Sequence, residues 1–274
     1  MSTVAPARAV PPAEPDSENA LVEAQGGPIR AHTPQTPEEA AYLSLSPLAN
    51  TNTIQLQLSY TTIPDGGHAG MAVVRTGLWM PYVLIPGIEV PGMGGLVVMM
   101  VPYQTLDLPA LPEEVNGLGD INLIDLAVYE LSWGGIGLGP GFFFPAATSP
   151  ILGQGKLQLG PVFSVGYSGV HGMLITLGGF DAVSVAGSPE RPDVHTLYVA
   201  PSVGLMLPKA FYLYSDGILR FDWKRDGHAT IPLNLGLGHA FTSHFVVYVQ
   251  PEWVATGDLE DSFTARVVVS NLGW

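Results

Sequence analysis

No cysteine occurs among the 274 residues, which excludes a disulfide framework and a thiolate metal site. Charge is scarce. Asp, Glu, Lys and Arg make up 12% of the chain, where soluble domains carry about 25%. Positive charge is scarcer still: ten Lys and Arg stand against 24 Asp and Glu, a net charge of −14. A nucleic-acid partner is excluded, because nothing here forms the basic stripe that neutralises phosphates. Long unbroken apolar runs are missing too. The best candidate, residues 77–103, carries Glu89 as its only charge but is cut by Pro81, Pro86 and Pro91. Each proline removes a backbone donor and resists the helix interior, so a membrane-spanning helix is disfavoured. Residues 1–20 also lack the apolar stretch of a secretory signal. For an exported protein the expectation is numbering that begins after cleavage, with Met1 added.

What is present is alternation. In 134–145, Ile136, Leu138, Pro140, Phe142 and Phe144 share one face, and Gly135, Gly137, Gly139 and Gly141 share the other. In 156–168, Leu157, Leu159, Phe163, Val165 and Tyr167 oppose Lys156, Gln158, Gly160, Ser164 and Gly166. Side chains alternate across a strand, so each segment is a strand with one apolar face and one small or polar face. The pattern recurs from Ile54, Leu56, Leu58 and Tyr60 down to an aromatic last residue, Trp274. About twelve strands are predicted between 52 and 274, separated by turn signals such as Pro64-Asp-Gly-Gly, Trp133-Gly-Gly and Arg225-Asp-Gly. With 47% apolar residues and no helical span, the expected fold is all-β: an antiparallel transmembrane β-barrel whose apolar face meets lipid.

Three segments resist the pattern. Leu96-Val-Val-Met-Met-Val is apolar on both faces. Asp125 shares the face of Ile121, Leu123 and Tyr129, which predicts a bulge or a barrel rim there. Leu272 and Trp274 share parity with Arg266, which predicts a bulge or an early exit from the bilayer.

Residues 1–49 differ from the rest. They hold eight of the 25 prolines, several acids and no periodicity. Such a segment buries too little apolar area to offset its ordering entropy, so the chain divides into a disordered arm, 1–49, and a barrel, 50–274. A short helix near Pro37 and a plug inside the barrel are the alternatives.

The series Gly117-Leu-Gly-Asp-Ile121, Gly139-Pro-Gly141, Phe144-Pro-Ala-Ala-Thr148, Leu152-Gly-Gln-Gly-Lys156, Leu159-Gly-Pro161, Arg191-Pro-Asp-Val194, Asp222-Trp223 and Ile231-Pro-Leu-Asn234 resembles a family of bacterial outer-membrane proteins. That family is labelled as MetA-pathway phenol-degradation proteins or as "transporter". The resemblance spans roughly 54–274 and is densest from 117 to 238. It implies a barrel in the bacterial cell outer membrane and transport of small aromatic or apolar compounds.

Candidate functional residues lie on the inward faces. Tyr212, Tyr214, Asp216, Arg220 and Asp222 fall on one strand, Tyr248, Gln250 and Glu252 on another, and Lys156 and Gln158 on a third, with Arg75 and Arg266 able to join. They form either a lumen ladder that orients a solute or a structural network of paired charges, with Arg220 held between Asp216 and Asp222. The inward glycines of 135–141 suit either close approach of an inner element or strong curvature. The seven histidines are scattered and read as rim or turn residues rather than as a metal site. Nothing marks a nucleophile, and no phosphate loop opens a helix. The expectation is a monomer in contact with lipid, without cofactor or catalysis, that passes small solutes, aromatic or apolar. A non-transporting barrel that binds a partner, and a soluble β-barrel carrier of an apolar ligand, are the other readings.

Overall fold

A computed structural model describes residues 31–64, 66–85 and 88–274; of 83–92 it describes the backbone only. Its strands are β1 (Thr53–Thr62), β2 (His68–Ile85), β3 (Ile88–Asp107), β4 (Val115–Leu118), β5 (Ile121–Leu131), β6 (Gly134–Phe144), β7 (Lys156–Tyr167), β8 (Met173–Gly187), β9 (His195–Met206), β10 (Phe211–Ser215), β11 (Leu219–Asp222), β12 (His228–Asn234), β13 (Gly236–Ala240), β14 (Phe245–Thr256) and β15 (Phe263–Leu272). All pairings are antiparallel, and β1 pairs with β15 from Thr53↔Leu272 to Thr62↔Phe263, which closes the sheet on itself. β10 and β11 continue one another, as do β12 and β13, and β4 runs on into β5 as one stave that pairs with β3. The result is a closed barrel of 12 staves. An even count puts the start of β1 and the end of β15 on the same side.

The outer wall is apolar as the alternation predicts. Ile54, Leu56, Leu58 and Tyr60 are 42–51% exposed, and Leu138, Leu235 and Val249 point outward likewise. Aromatic pairs ring the outside near the chain termini, including Trp133 with Tyr167 and Phe241 with Phe245. No helix among the described residues is long and apolar enough to cross a membrane; the crossing elements are strands.

Part of the expected disordered arm is ordered. Residues 1–30 lie outside the described residues, but 37–45 form helix α1 (Pro37–Leu45) inside the barrel. Its start follows from local chemistry. Thr36 accepts a hydrogen bond from the Glu39 amide at 3.1 Å, Pro37 opens the helix, and Glu38 and Glu39 sit in the first turn. Ala40, Ala41 and Leu45 pack on Leu174, Tyr212, Val246 and Leu272. Leu48 then packs on Trp79, Leu96, Leu126 and Val128. The inner segment therefore spans the lumen near the end that holds the C-terminus, where Asn52 accepts from the Trp79 and Gly273 amides.

This segment explains two of the three irregular strands. Leu272 is 1% exposed and faces inward in unbroken register, with no bulge, because α1 offers it an apolar partner. Leu96 and Val98 are buried under Leu48, so β3 is apolar on both faces for the same reason. Asp125 also sits without a bulge: Ile124↔Gly141 and Ala127↔Leu138 keep one register. The intervening rungs are missing where Pro140 has no N–H to give, and Asp125 faces outward, exposed.

Candidate functional site

The inward polar residues converge between α1 and the far end of the barrel. Arg266 on β15 donates from Nη1 to Gln250 Oε1 at 2.8 Å and from Nη2 to Glu252 Oε2 at 3.2 Å. The same guanidinium lies 3.6 Å from Asp216 Oδ1. Gln250 Nε2 donates to Asp216 Oδ1 at 2.8 Å and to Asn234 Oδ1 at 3.1 Å, and Asn234 Nδ2 donates to Glu252 Oε2 at 2.9 Å. One cation thus serves two carboxylates, and two carboxamides tie the set together. The side chains of Arg266, Glu252 and Asp216 are 16%, 15% and 24% exposed. Partly desolvated charges need such pairing. Tyr214 and Tyr248 meet edge to face, with ring centroids 6.0 Å apart, on the side toward α1.

Strand parity sets this grouping. Gln250 and Glu252 on β14 face Arg266 and Thr264 on β15 as direct partners, and Asn234 faces Glu252 across β12 and β14. The neighbouring strand β1 adds Gln55, Gln57 and Ser59 on its inner face. Across the lumen the wall is different. Leu126, Val128, Val162, Phe180 and Ala182 form a continuous buried cluster, with Phe143 and Tyr198 packed against it. Phe143 and Phe180 stack at 5.3 Å. The interior therefore has a polar side and an apolar side.

The predicted site residues divide accordingly. Asp216 and Glu252 meet in the network, with Tyr214 and Tyr248 beside it. Tyr212 also points inward but is 1% exposed and covered by α1, so it packs rather than lines an open space. Arg220 is not the cation between Asp216 and Asp222. It is exposed and makes no ion pair among the described residues, opposite Tyr198 and Thr230. Asp222 instead caps the short turn Trp223–Arg225 by accepting the Lys224 amide at 2.9 Å. Lys156 sits at the far rim and donates to Asp193 Oδ1 at 3.0 Å. Gln158, 2% exposed, faces inward next to Phe143 on the neighbouring strand, and its Oε1 has no partner among the described residues. Arg266 takes the role expected of Arg220, and Asn234 is the connector that sequence reasoning missed. Asn234 sits on the inner parity of its strand, but nothing local says which strands meet it.

No group of His, Asp or Glu among the described residues is arranged to hold a metal. No family model matches the chain, and no curated protein matches it either; the MetA-pathway resemblance is not confirmed. Solved structures do resemble it in fold. The crystal structure of the COG4313 outer membrane channel from Pseudomonas putida F1 superposes with a TM-score of 0.60 at 11% identity, covering 81% of this chain and 95% of that one. The NanC porin superposes with a TM-score of 0.56 at 10% identity, covering 80% of this chain and 98% of that one. The architecture is shared with outer-membrane channels over nearly their whole length. Outer membrane phospholipase A from Escherichia coli aligns less well, with a TM-score of 0.49 at 13% identity over 85% of this chain and 97% of that one.

Proposed function

We propose that this chain is a passive channel for small solutes, seated as a monomer in a bacterial outer membrane. The carrying observation is the inversion of polarity across one wall: apolar side chains outside, and the Arg266–Glu252–Asp216 network inside. A soluble carrier would place its apolar face within, so the outward apolar belt weighs against that reading. The turns on the chain-terminal side, such as 132–133 and 241–244, are shorter than 145–155 and 188–194 at the other end. In such barrels the short turns face the periplasm, which sets the long segments outside the cell. The split interior favours solutes with an apolar or aromatic body and a polar group over purely apolar ones. Phe143, Phe180 and Tyr198 offer one wall, and Gln55, Gln57 and Arg266 the other.

A second reading has an observation of its own. The segment 33–50 fills the lumen near the terminal end, as expected of a closed barrel with no conduit. Planar-bilayer recording of the full chain and of a Leu45→Ser, Leu48→Ser double variant separates the two. A channel whose plug moves should conduct weakly as wild type and open more often in the variant, where the apolar anchors are lost. Silence from both, with both still heat-modifiable on gels, leaves a non-transporting barrel.

A further inference from the structure

We infer that the cavity between the inner segment and the wall of β1 and β2 is a binding site for a small carboxylate, with Arg75 as its counter-charge. The proposal deepens the channel reading and rests on it for the solute's route. The cavity has a volume of about 60 Å³, and its polar lining includes Ser44, Ser46 and Thr51 from the inner segment and Gln55, Arg75 and Tyr214 from the wall. One water needs only about 10–15 Å³ by this measure, so there is room for an anion of three or four heavy atoms.

Two features point to an anion. Arg75 is a lumen arginine with no acid partner among the described residues, and unlike the exposed Arg220 it is partly shielded. Its Nη1 donates to Gln55 Oε1 at 3.1 Å, and no carboxylate among the described residues lies within ion-pair distance. Arg266, in the same lumen, has two. A guanidinium carries five N–H donors, so Arg75 keeps most of its fork free beside the apolar floor of Leu96 and Val98. A charge held there is costly without a partner, and a carboxylate fits the fork with two parallel bonds. Independently, Thr51, which lines this cavity, is 1% exposed and its Oγ1 has no hydrogen-bond partner among the described residues. Ser46 Oγ accepts from the Leu48 amide at 3.2 Å, which leaves its proton free to donate. Guanidinium on one side and two unspent hydroxyl donors on the other make a donor-rich cradle for one negative charge. Because Ser46 and Thr51 belong to the inner segment, an occupant would also bridge that segment to the wall.

The test is isothermal titration of the full chain, folded in neutral detergent micelles, with sodium formate and sodium acetate against sodium chloride at constant ionic strength. Saturable formate binding at millimolar concentrations is expected. Arg75→Gln should weaken it roughly tenfold or more, the scale of a lost charge-assisted bond. Arg75→Lys should retain part of the affinity, and Thr51→Val should weaken binding severalfold. Absence of saturable binding to the wild type overturns the site, and so does an Arg75→Gln variant that binds as well as wild type. Chloride binding as tight as formate overturns the carboxylate class. If Arg75→Gln does not fold, unchanged affinity in both Arg75→Lys and Thr51→Val overturns the proposal equally. Wild type that binds formate yet is silent in bilayers retains this site and loses the channel; wild type that conducts but binds nothing does the reverse.

Discussion

Leu48 occupies the space that a side chain at residue 137 would need. A Cβ on Gly137 would lie 2.9 Å from Leu48 Cδ2 and 3.4 Å from Leu126 Cδ1, and a Cβ on Gly204 would lie 2.7 Å from Leu45 Cδ1. Two wall glycines, on β6 and β9, thus make room for the two leucines that anchor the inner segment. Gly137→Val should push Leu48 off its seat. Overpacking of this kind costs about 1–3 kcal/mol. The expected outcome is a lower thermal midpoint and faster proteolysis within 37–50 in micelles, with the barrel still heat-modifiable. Unchanged cleavage would mean that Leu48 can shift without loosening the segment.

Arg266, not Arg220, should be the lumen cation that stability depends on. Removing Arg266 strands Glu252 and Asp216, both mostly shielded from solvent. Loss of one partner from a fully buried pair costs about 3–5 kcal/mol; these groups are partly wet, so Arg266→Ala should fall toward the lower end. Arg220→Ala removes a side chain that is exposed and unpaired among the described residues, and should change stability little. Thermal unfolding of both variants in one detergent checks the order. Glu252→Gln in the Arg266→Ala background should recover part of the loss, because one stranded charge is gone.

The barrel wall was legible in the sequence because period-two alternation is a local signal, and its outward residues fall where parity puts them. Leu96 and Val98 break the alternation, and Leu272 faces inward without the expected bulge, because a polar interior holds only where water or polar groups fill it. Next to α1 the interior is an apolar core. The composition of 1–49 gave no sign of this, since the residues that bury, Ala40, Ala41, Leu45 and Leu48, are few and lie among prolines and acids. The inward glycines did carry the information: Gly137 meets Leu48 directly. The network was half legible. Parity put Asp216, Glu252 and Arg266 inside, but which strands face one another across a closed barrel depends on closure, so Arg220 was paired with its sequence neighbours instead.

Leu235 and Asn234 are adjacent in sequence and should fail for different reasons. Leu235 is 57% exposed on the outer wall. An arginine there meets the lipid core at roughly 2–4 kcal/mol if it lies near the midplane. Leu235→Arg should therefore lose stability when unfolded by denaturant from lipid vesicles, and much less from micelles. Asn234 accepts from Ser215, the Asp216 amide and Gln250, and donates to Glu252. Asn234→Leu should destabilise in both media, because the loss is inside. A Leu235→Arg variant equally damaged in micelles and vesicles would contradict its lipid-facing placement.

Titration of the far rim offers a test independent of the lumen. Burial alone would raise the Asp258 carboxyl, but the Arg225 guanidinium, 2.9 Å from both of its oxygens, and the nearby His228 outweigh this and hold it below its ordinary value of 3.8. Asp193 is likewise held down, chiefly by its hydrogen bond from Lys156 and then by that residue's charge. A carboxyl whose folded value is depressed contributes stability above its unfolded value, near 3.9, and loses it as pH falls through the folded value. Both contacts should therefore persist from neutral pH down to about 4 and release only below it. Carboxyl chemical shifts followed by NMR across acid pH should place both midpoints below 3.8. Arg225→Gln should raise the Asp258 midpoint and leave Asp193 in place, while Lys156→Met should do the opposite. The two pairs share no residue, so a change at one that moves the other would show that the segments 188–194 and 257–262 are coupled across the mouth.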